Sequence, residues 1–135
     1  MLKRILSVLG GIGVAFLIIM LNESVVMKIY PLPVGIDPND AEAMKHLIIP
    51  VGALVLLMVG YAIASFAAGI VSSMISGREN AQPALIAGGI LTVGGIINMI
   101  EIPHPWWFMI LNVLIYIPFA YRGFMIVKKK VSIDK

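Results

Sequence analysis

The chain has 135 residues, of which 60% are hydrophobic and only 13% are charged. Its mean hydropathy is +1.00, whereas about 25% of the residues of a soluble domain are charged. This composition excludes a water-soluble globular protein and leaves an integral membrane protein, with room for about four spanning helices of about 20 residues each. The chain has no cysteines, which excludes disulfides, thiolate-bound zinc, iron–sulfur clusters and thiol nucleophiles.

Four apolar stretches, at about 5–27, 47–75, 84–101 and 106–127, predict four transmembrane helices. Each stretch reaches, or nearly reaches, across a hydrocarbon core of about 30 Å, and it must be helical because lipid offers the backbone no hydrogen bonds. The predicted fold is therefore all-α. A single domain, residues 1–135, forms a polytopic membrane protein whose four transmembrane helices pack as an antiparallel bundle.

The outer loop, at about 28–46, is predicted to hold a short helix before the second span. We interpret Asp37 as the N-cap of this helix, Pro38 as its first residue and Asp40 as a residue that hydrogen-bonds back to the cap. A calcium-binding loop is the alternative for this acidic stretch. It is not favoured, because the central glycine and the distal glutamate of an EF-hand are missing.

The N-terminus resembles a signal peptide, because Lys3 and Arg4 precede the first apolar stretch. No small-residue cleavage site follows this stretch, so we expect it to remain as a membrane anchor.

The basic residues predict the orientation of the chain. With four spans, both termini lie on one side of the membrane, and that side collects eight of the ten basic residues: Lys3, Arg4, Arg78, Arg122, Lys128, Lys129, Lys130 and Lys135. By the positive-inside rule, we expect a multi-pass protein of the cell's inner (plasma) membrane with both termini in the cytoplasm. The basic tail is expected to contact anionic lipid of the bilayer rather than nucleic acid.

Small residues recur at every fourth position of the second and third spans. The second span carries two such ladders and the third carries one: Gly60, Ala64, Ala68, Ser72 and Ser76; Ser65, Gly69, Ser73 and Gly77; Ala84, Gly88 and Thr92. In lipid, close backbone approach and polar contacts hold helices together. We therefore predict a compact bundle whose main seam is the hairpin of the second and third spans. An oligomer interface is the alternative use of some ladders.

Five polar residues near the outer ends of the spans form the candidate site: Glu23, Asn98, Glu101, His104 and Asn112. Polar groups inside a membrane are costly and often functional. If these residues converge, their carboxylates and imidazole could bind a divalent metal or shift one another's protonation. The structural alternative is that the glutamates reach water and that Asn112 hydrogen-bonds across helices. We assign no catalytic residue, cofactor or metal to them.

Three outer motifs resemble an uncharacterised family of small four-span bacterial membrane proteins. They are Asn-Glu-Ser at 22–24, Tyr-Pro-Leu-Pro-Val-Gly-Ile-Asp-Pro-Asn-Asp at 30–40 and Ile-Pro-His-Pro-Trp-Trp-Phe at 102–108. The resemblance implies a four-span topology over nearly the whole chain. It implies no activity and transfers no functional residues.

Three functions are weighed. The spans carry many small-residue packing surfaces and few chemically reactive side chains. This favours a non-enzymatic accessory or scaffold protein, or a bundle that associates with itself or with a larger membrane complex. The alternative is a small transporter or channel component with a polar site in the outer leaflet, although the carboxylates stay in the outer third of the spans. An intramembrane enzyme is not expected, because no catalytic signature of the serine, zinc or phosphate-loop type occurs.

Overall fold

Five helices and no strand make up the described part of the chain, which is residues 1–37, 39–77, 79–102 and 104–133 of a computed structural model. The helices are α1 (Leu2–Ile29), α2 (Ala41–Lys45), α3 (Val51–Ser76), α4 (Gln82–Glu101) and α5 (Trp106–Ile133). Except for α2, all of them are long and apolar enough to cross a membrane. The predicted all-α fold with four candidate spans packed against one another is confirmed, and this is the architecture of a multi-pass membrane protein.

Four residues used in the predictions above lie outside the described residues: Pro38, Arg78, Pro103 and Lys135.

The helix ends differ from the edges of the apolar stretches where polar residues or proline intervene. The first and last helices, α1 and α5, are each 28 residues long and continue past the apolar runs into polar sequence. By contrast, α3 starts only after Pro50, which is its N-cap. It ends at Ser76, and its C-cap is Gly77, whose φ of 110° lies in the left-handed region that favours glycine and whose N–H donates to the Ser73 carbonyl.

The short loop helix α2 is capped by Asp40 and not by Asp37. The Asp40 carboxylate accepts hydrogen bonds from the N–H groups of Glu42, at 3.0 Å, and Ala43, at 3.2 Å. Asp37 instead accepts from the backbone N–H of Asn39 at 2.9 Å, an Asx turn that keeps the chain non-helical there. The prediction of Asp37 as the N-cap is therefore wrong by three residues.

The bundle has two distinct ends. The start of α1, the end of α5 and the α3–α4 connection lie at one end, here called the terminal end, where a Cβ on Gly77 would lie 3.9 Å from the Lys3 Nζ. The α1–α3 and α4–α5 connections lie at the other end, here called the loop end. The half of the bundle next to the loop end is called the loop half, and the remainder is the terminal half.

The two ladders of α3 contact two different helices. The first ladder packs against antiparallel α1, where a Cβ on Gly11 would collide with Ser72 and one on Gly60 would collide with Asn22. The second ladder packs against parallel α5, where the Ser65 hydroxyl donates to the Tyr116 carbonyl.

The predicted main seam, the α3–α4 hairpin, is therefore wrong. Contacts of α3 with α1 and with α5 are more extensive than its contacts with α4. The reason is that adjacent ladders lie about 100° apart around a helix, so each can receive its own partner. Two of the four glycines of α4 face α5, since Cβ atoms on Gly88 and Gly95 would press on Tyr116.

The packing changes along the bundle axis. Toward the terminal half, the helices meet through the fully buried alanines Ala15, Ala64, Ala68 and Ala87. In the loop half the core is made of larger side chains: Leu54, Tyr61, Met99, Phe108 and Tyr116. Large side chains hold helix axes further apart than alanine and glycine do, so a space opens between helices in the loop half.

The close approach of α3 and α5 yields the first prediction. In Gly69→Ala the added methyl group would collide with the Ala120 backbone, and overpacking of this kind costs about 1–3 kcal/mol. Gly13→Ala is the matched control, because a Cβ there meets nothing among the described residues. We expect thermal unfolding in detergent micelles to show a lower Tm for Gly69→Ala only. Equal Tm values would contradict the packing described here.

Candidate functional site

A groove in the loop half lies between α1 and α4 and has a volume of about 400 Å³. Its mouth is formed by side chains that are exposed on the bundle surface, namely Phe16 and Met20 of α1 and Ile90 of α4. Its floor is formed by residues of α3 and α5 that are less than one-tenth exposed: Tyr61, Asn112 and Tyr116. The groove therefore opens sideways, toward the surface that lipid would cover, and ends on polar side chains.

The polar floor is organised by two tyrosines. The Tyr61 hydroxyl donates to the Glu23 carboxylate over 3.4 Å, which ties α1 to α3. The rings of Tyr61 and Tyr116 stack with their centroids 6.1 Å apart. A stacked aromatic pair with two hydroxyl groups gives the floor hydrogen-bonding capacity.

The side-chain amide of Asn112 makes fewer hydrogen bonds than it can. Its side chain is 2% exposed, and its Nδ2 lies 3.6 Å from the sulfur of Met99, a weak acceptor. Its Oδ1 has no hydrogen-bond partner among the residues that the structure describes. Burying an amide oxygen without a partner costs about 1–3 kcal/mol on mutational scales, so this atom marks where a donor would be stabilising.

Three of the five predicted site residues line the groove: Glu23, Asn98 and Asn112. Asn98 sits at its rim and is exposed, whereas Glu23 and Asn112 reach the floor. The remaining two, Glu101 and His104, are not among the lining residues. Within the described part of the chain, His, Asp and Glu residues form no group of three or more that could hold a metal ion.

His104 belongs to the α4–α5 connection and has its own structural partners. Its Nδ1 lies 2.5 Å from the Ile102 carbonyl oxygen, which can only accept, so Nδ1 carries the proton. The ring stacks on Phe108, with centroids 4.8 Å apart. Burial lowers the pKa of His104, an effect only partly opposed by the backbone hydrogen bond to Ile102.

The acidic residues of the outer loop are also accounted for locally. Glu42 pairs with Lys45 at 2.6 Å on the exposed surface of α2. This hydrogen bond and the lysine charge lower the pKa of Glu42. Asp37 and Asp40 accept backbone hydrogen bonds, as described above, so the loop is explained by turn and cap chemistry.

Sequence reasoning missed the two tyrosines of the floor. A single tyrosine within an apolar run has the same pattern as a core aromatic residue, and Tyr61 and Tyr116 also serve that purpose. The one feature of the sequence that could have identified a floor tyrosine was its position relative to a candidate residue. Tyr116 lies four residues after Asn112, on the same helix face, and so follows a residue already in the candidate set.

No family model, no curated protein and no solved structure matches this chain. The resemblance noted in the sequence therefore stays a prediction.

The environment of His104 yields the second prediction. Because burial disfavours the charged ring, we expect it to titrate below 6.5, its ordinary value. The folded state then loses stability as the pH falls from about 6.5 toward the lower folded pKa, since only the unfolded chain takes up the proton freely.

NMR of the imidazole in the His46→Gln variant, which leaves His104 as the single histidine, measures this titration directly. Phe108→Leu removes the stacked ring and should move the midpoint back toward the ordinary value. A midpoint at or above 6.5 in the parent would contradict the burial described here.

Proposed function

We propose that the chain is a non-enzymatic scaffold or accessory protein of the bacterial inner membrane that acts by helix association, first of all with copies of itself. The observation that supports this proposal is a face of α4 that no other described helix covers. This face, here called the α4 outer face, consists of the exposed side chains Leu85, Val93 and Ile96 and the half-buried Gly89.

Gly89 is the centre of that face. A Cβ built on it meets nothing within 4 Å among the described residues, whereas Cβ atoms on Gly88 and Gly95 of the same helix would press on α5. Glycine weakens a helix by about 1 kcal/mol relative to alanine. A glycine with no neighbour inside the bundle is accounted for if a helix from another molecule approaches there, because small residues allow close approach in lipid.

The neighbours of Gly89 favour this face over the corresponding surface of α1. Val93 and Ile96 are exposed and β-branched, so each holds mainly one rotamer in a helix and loses little entropy on packing. Gly13 of α1 also has open space around it. Its exposed neighbours Leu17 and Met20 are flexible, and ordering them opposes association.

The charge distribution supports cytoplasmic termini. The described basic residues gather at the terminal end: Lys3, Arg4, Arg122, Lys128, Lys129 and Lys130. At the loop end the described basic residues are Lys28 and Lys45. Such an asymmetry orients bacterial membrane proteins with the basic end inside.

A third prediction tests the orientation. Cysteines placed singly at Ser132 and at Val34 should react differently with a membrane-impermeant maleimide on intact cells, because the parent chain has no cysteine. We expect labelling at position 34 in intact cells and at position 132 only after lysis. The reverse pattern, or equal labelling of both, would overturn the proposed orientation.

A fourth prediction tests association. Gly89→Leu should abolish an oligomer seen by cross-linking and by light scattering in mild detergent, because its side chain would fill the contact surface. Gly13→Leu is the matched control and should leave the oligomer intact. A strictly monomeric parent protein with no co-purifying protein would contradict the proposal, and loss of the oligomer in the Gly13 variant alone would contradict the assigned face.

The second candidate is a small transporter or channel component, which the polar floor of the groove favours. Transport needs polar groups on a continuous path across the bilayer. In the terminal half, however, the Ser73 hydroxyl donates to the carbonyl of Gly69 and the Ser7 hydroxyl to that of Arg4. These two hydroxyls are tied to their own helices, and the Ser72 hydroxyl is fully buried against α1. None of the three is available to a passing solute, so association is the better-supported function.

A further inference from the structure

The groove between α1 and α4 has the size of a small-molecule site. Its volume of about 400 Å³ falls within the range of about 300–1,000 Å³ that is usual for ligand pockets. A transmembrane helix with its side chains is about 10 Å across and would not enter such a volume. The exposed side chains at the mouth, Phe16, Met20 and Ile90, are apolar, so a ligand would arrive from the lipid.

The floor of the groove determines the head group. The Glu23 carboxylate accepts one hydrogen bond, from Tyr61, and the Asn112 Oδ1 accepts none in the described structure. A neutral acceptor in a water-poor site is best matched by a neutral donor, because a charged ammonium would lose its hydration. A phosphate would present further acceptors to the Asn112 oxygen. The floor therefore selects a hydroxyl group.

We propose that this groove binds a membrane-soluble amphiphile whose hydroxyl head group donates to the Asn112 Oδ1 and whose hydrocarbon tail lies between Phe16, Met20 and Ile90. The site is separate from the α4 outer face. Gly94 lines the groove and Gly89 does not, so the proposal does not depend on association of the chain.

The full-length protein in phosphatidylcholine nanodiscs provides the test, with a photoactivatable hexadecanol that carries a diazirine in its chain. We expect label on the α1 and α4 segments that flank the mouth. Competition by 1-hexadecanol should need about tenfold less compound than competition by hexadecane, which is the effect of one net hydrogen bond of about 1.4 kcal/mol. Hexadecylamine should compete less well than the alcohol.

Two variants, each with a matched control, locate the site. Asn112→Leu keeps the number and branching of the side-chain heavy atoms and removes the acceptor, so the alcohol should lose its advantage over the alkane. Ser72→Ala removes the other unpartnered buried oxygen of the described residues, away from the groove, and should change nothing. Gly94→Leu has open space for its Cβ and should block labelling, whereas Gly89→Leu should leave labelling unchanged.

Several results would overturn the proposal. They are a folded Asn112→Leu protein that keeps the alcohol advantage, an amine that competes as well as the alcohol, and label spread evenly over all four long helices. If Asn112→Leu does not fold, Gly94→Leu decides, and unchanged labelling of that variant overturns the site. Label that appears only in the monomeric Gly89→Leu protein would show that a second copy covers the groove, which overturns the proposal while supporting association.

Discussion

The close contact of α3 with two helices at once is the constraint on which the rest of the bundle depends. Lipid supplies no hydrophobic drive between helices, so cohesion must come from van der Waals contact and hydrogen bonds at short range. The α3 helix provides both on adjacent faces, with Gly60 and Ser72 toward α1 and with Ser65 and Gly69 toward α5. A larger side chain on either face would separate α3 from the helix that this face contacts.

The groove forms because the loop half lacks the small residues that let helices approach closely in the terminal half. Where Tyr61 and Tyr116 replace alanine and glycine, the helices cannot close, and α1 contacts α4 only lightly. The terminal half therefore contributes the tight packing, and the loop half holds a partly open space lined by Glu23 and Asn112. A buried amide oxygen without a partner is tolerable in the loop half because close contacts elsewhere stabilise the bundle.

The sequence predicted the helices and the small-residue faces, but not which helices those faces meet. Hydrophobicity and length suffice for a span, since lipid permits few other structures. Periodicity shows that Ser65 and Gly69 share a face, yet it carries no information about the helix opposite. Asn98 and Glu101 share a face as well, but Glu101 is the last residue of α4 and lies beyond the groove. Asp37 and Asp40 both fit a cap, and only the backbone hydrogen bonds distinguish them.

The glycines of α4 show how a helix of 20 residues can serve three surroundings. Gly88 and Gly95 meet α5, Gly94 lines the groove, and Gly89 faces outward. Gly89 and Gly94 are five residues apart, which places them about 140° apart around the helix. In water, four glycines would threaten such a helix. In lipid, unpaired backbone groups are far more costly, so the helix persists and the glycines keep its surfaces open. The membrane environment that the composition requires is therefore also what allows α4 to keep glycine on the surfaces that face α5, the groove and the outside of the bundle.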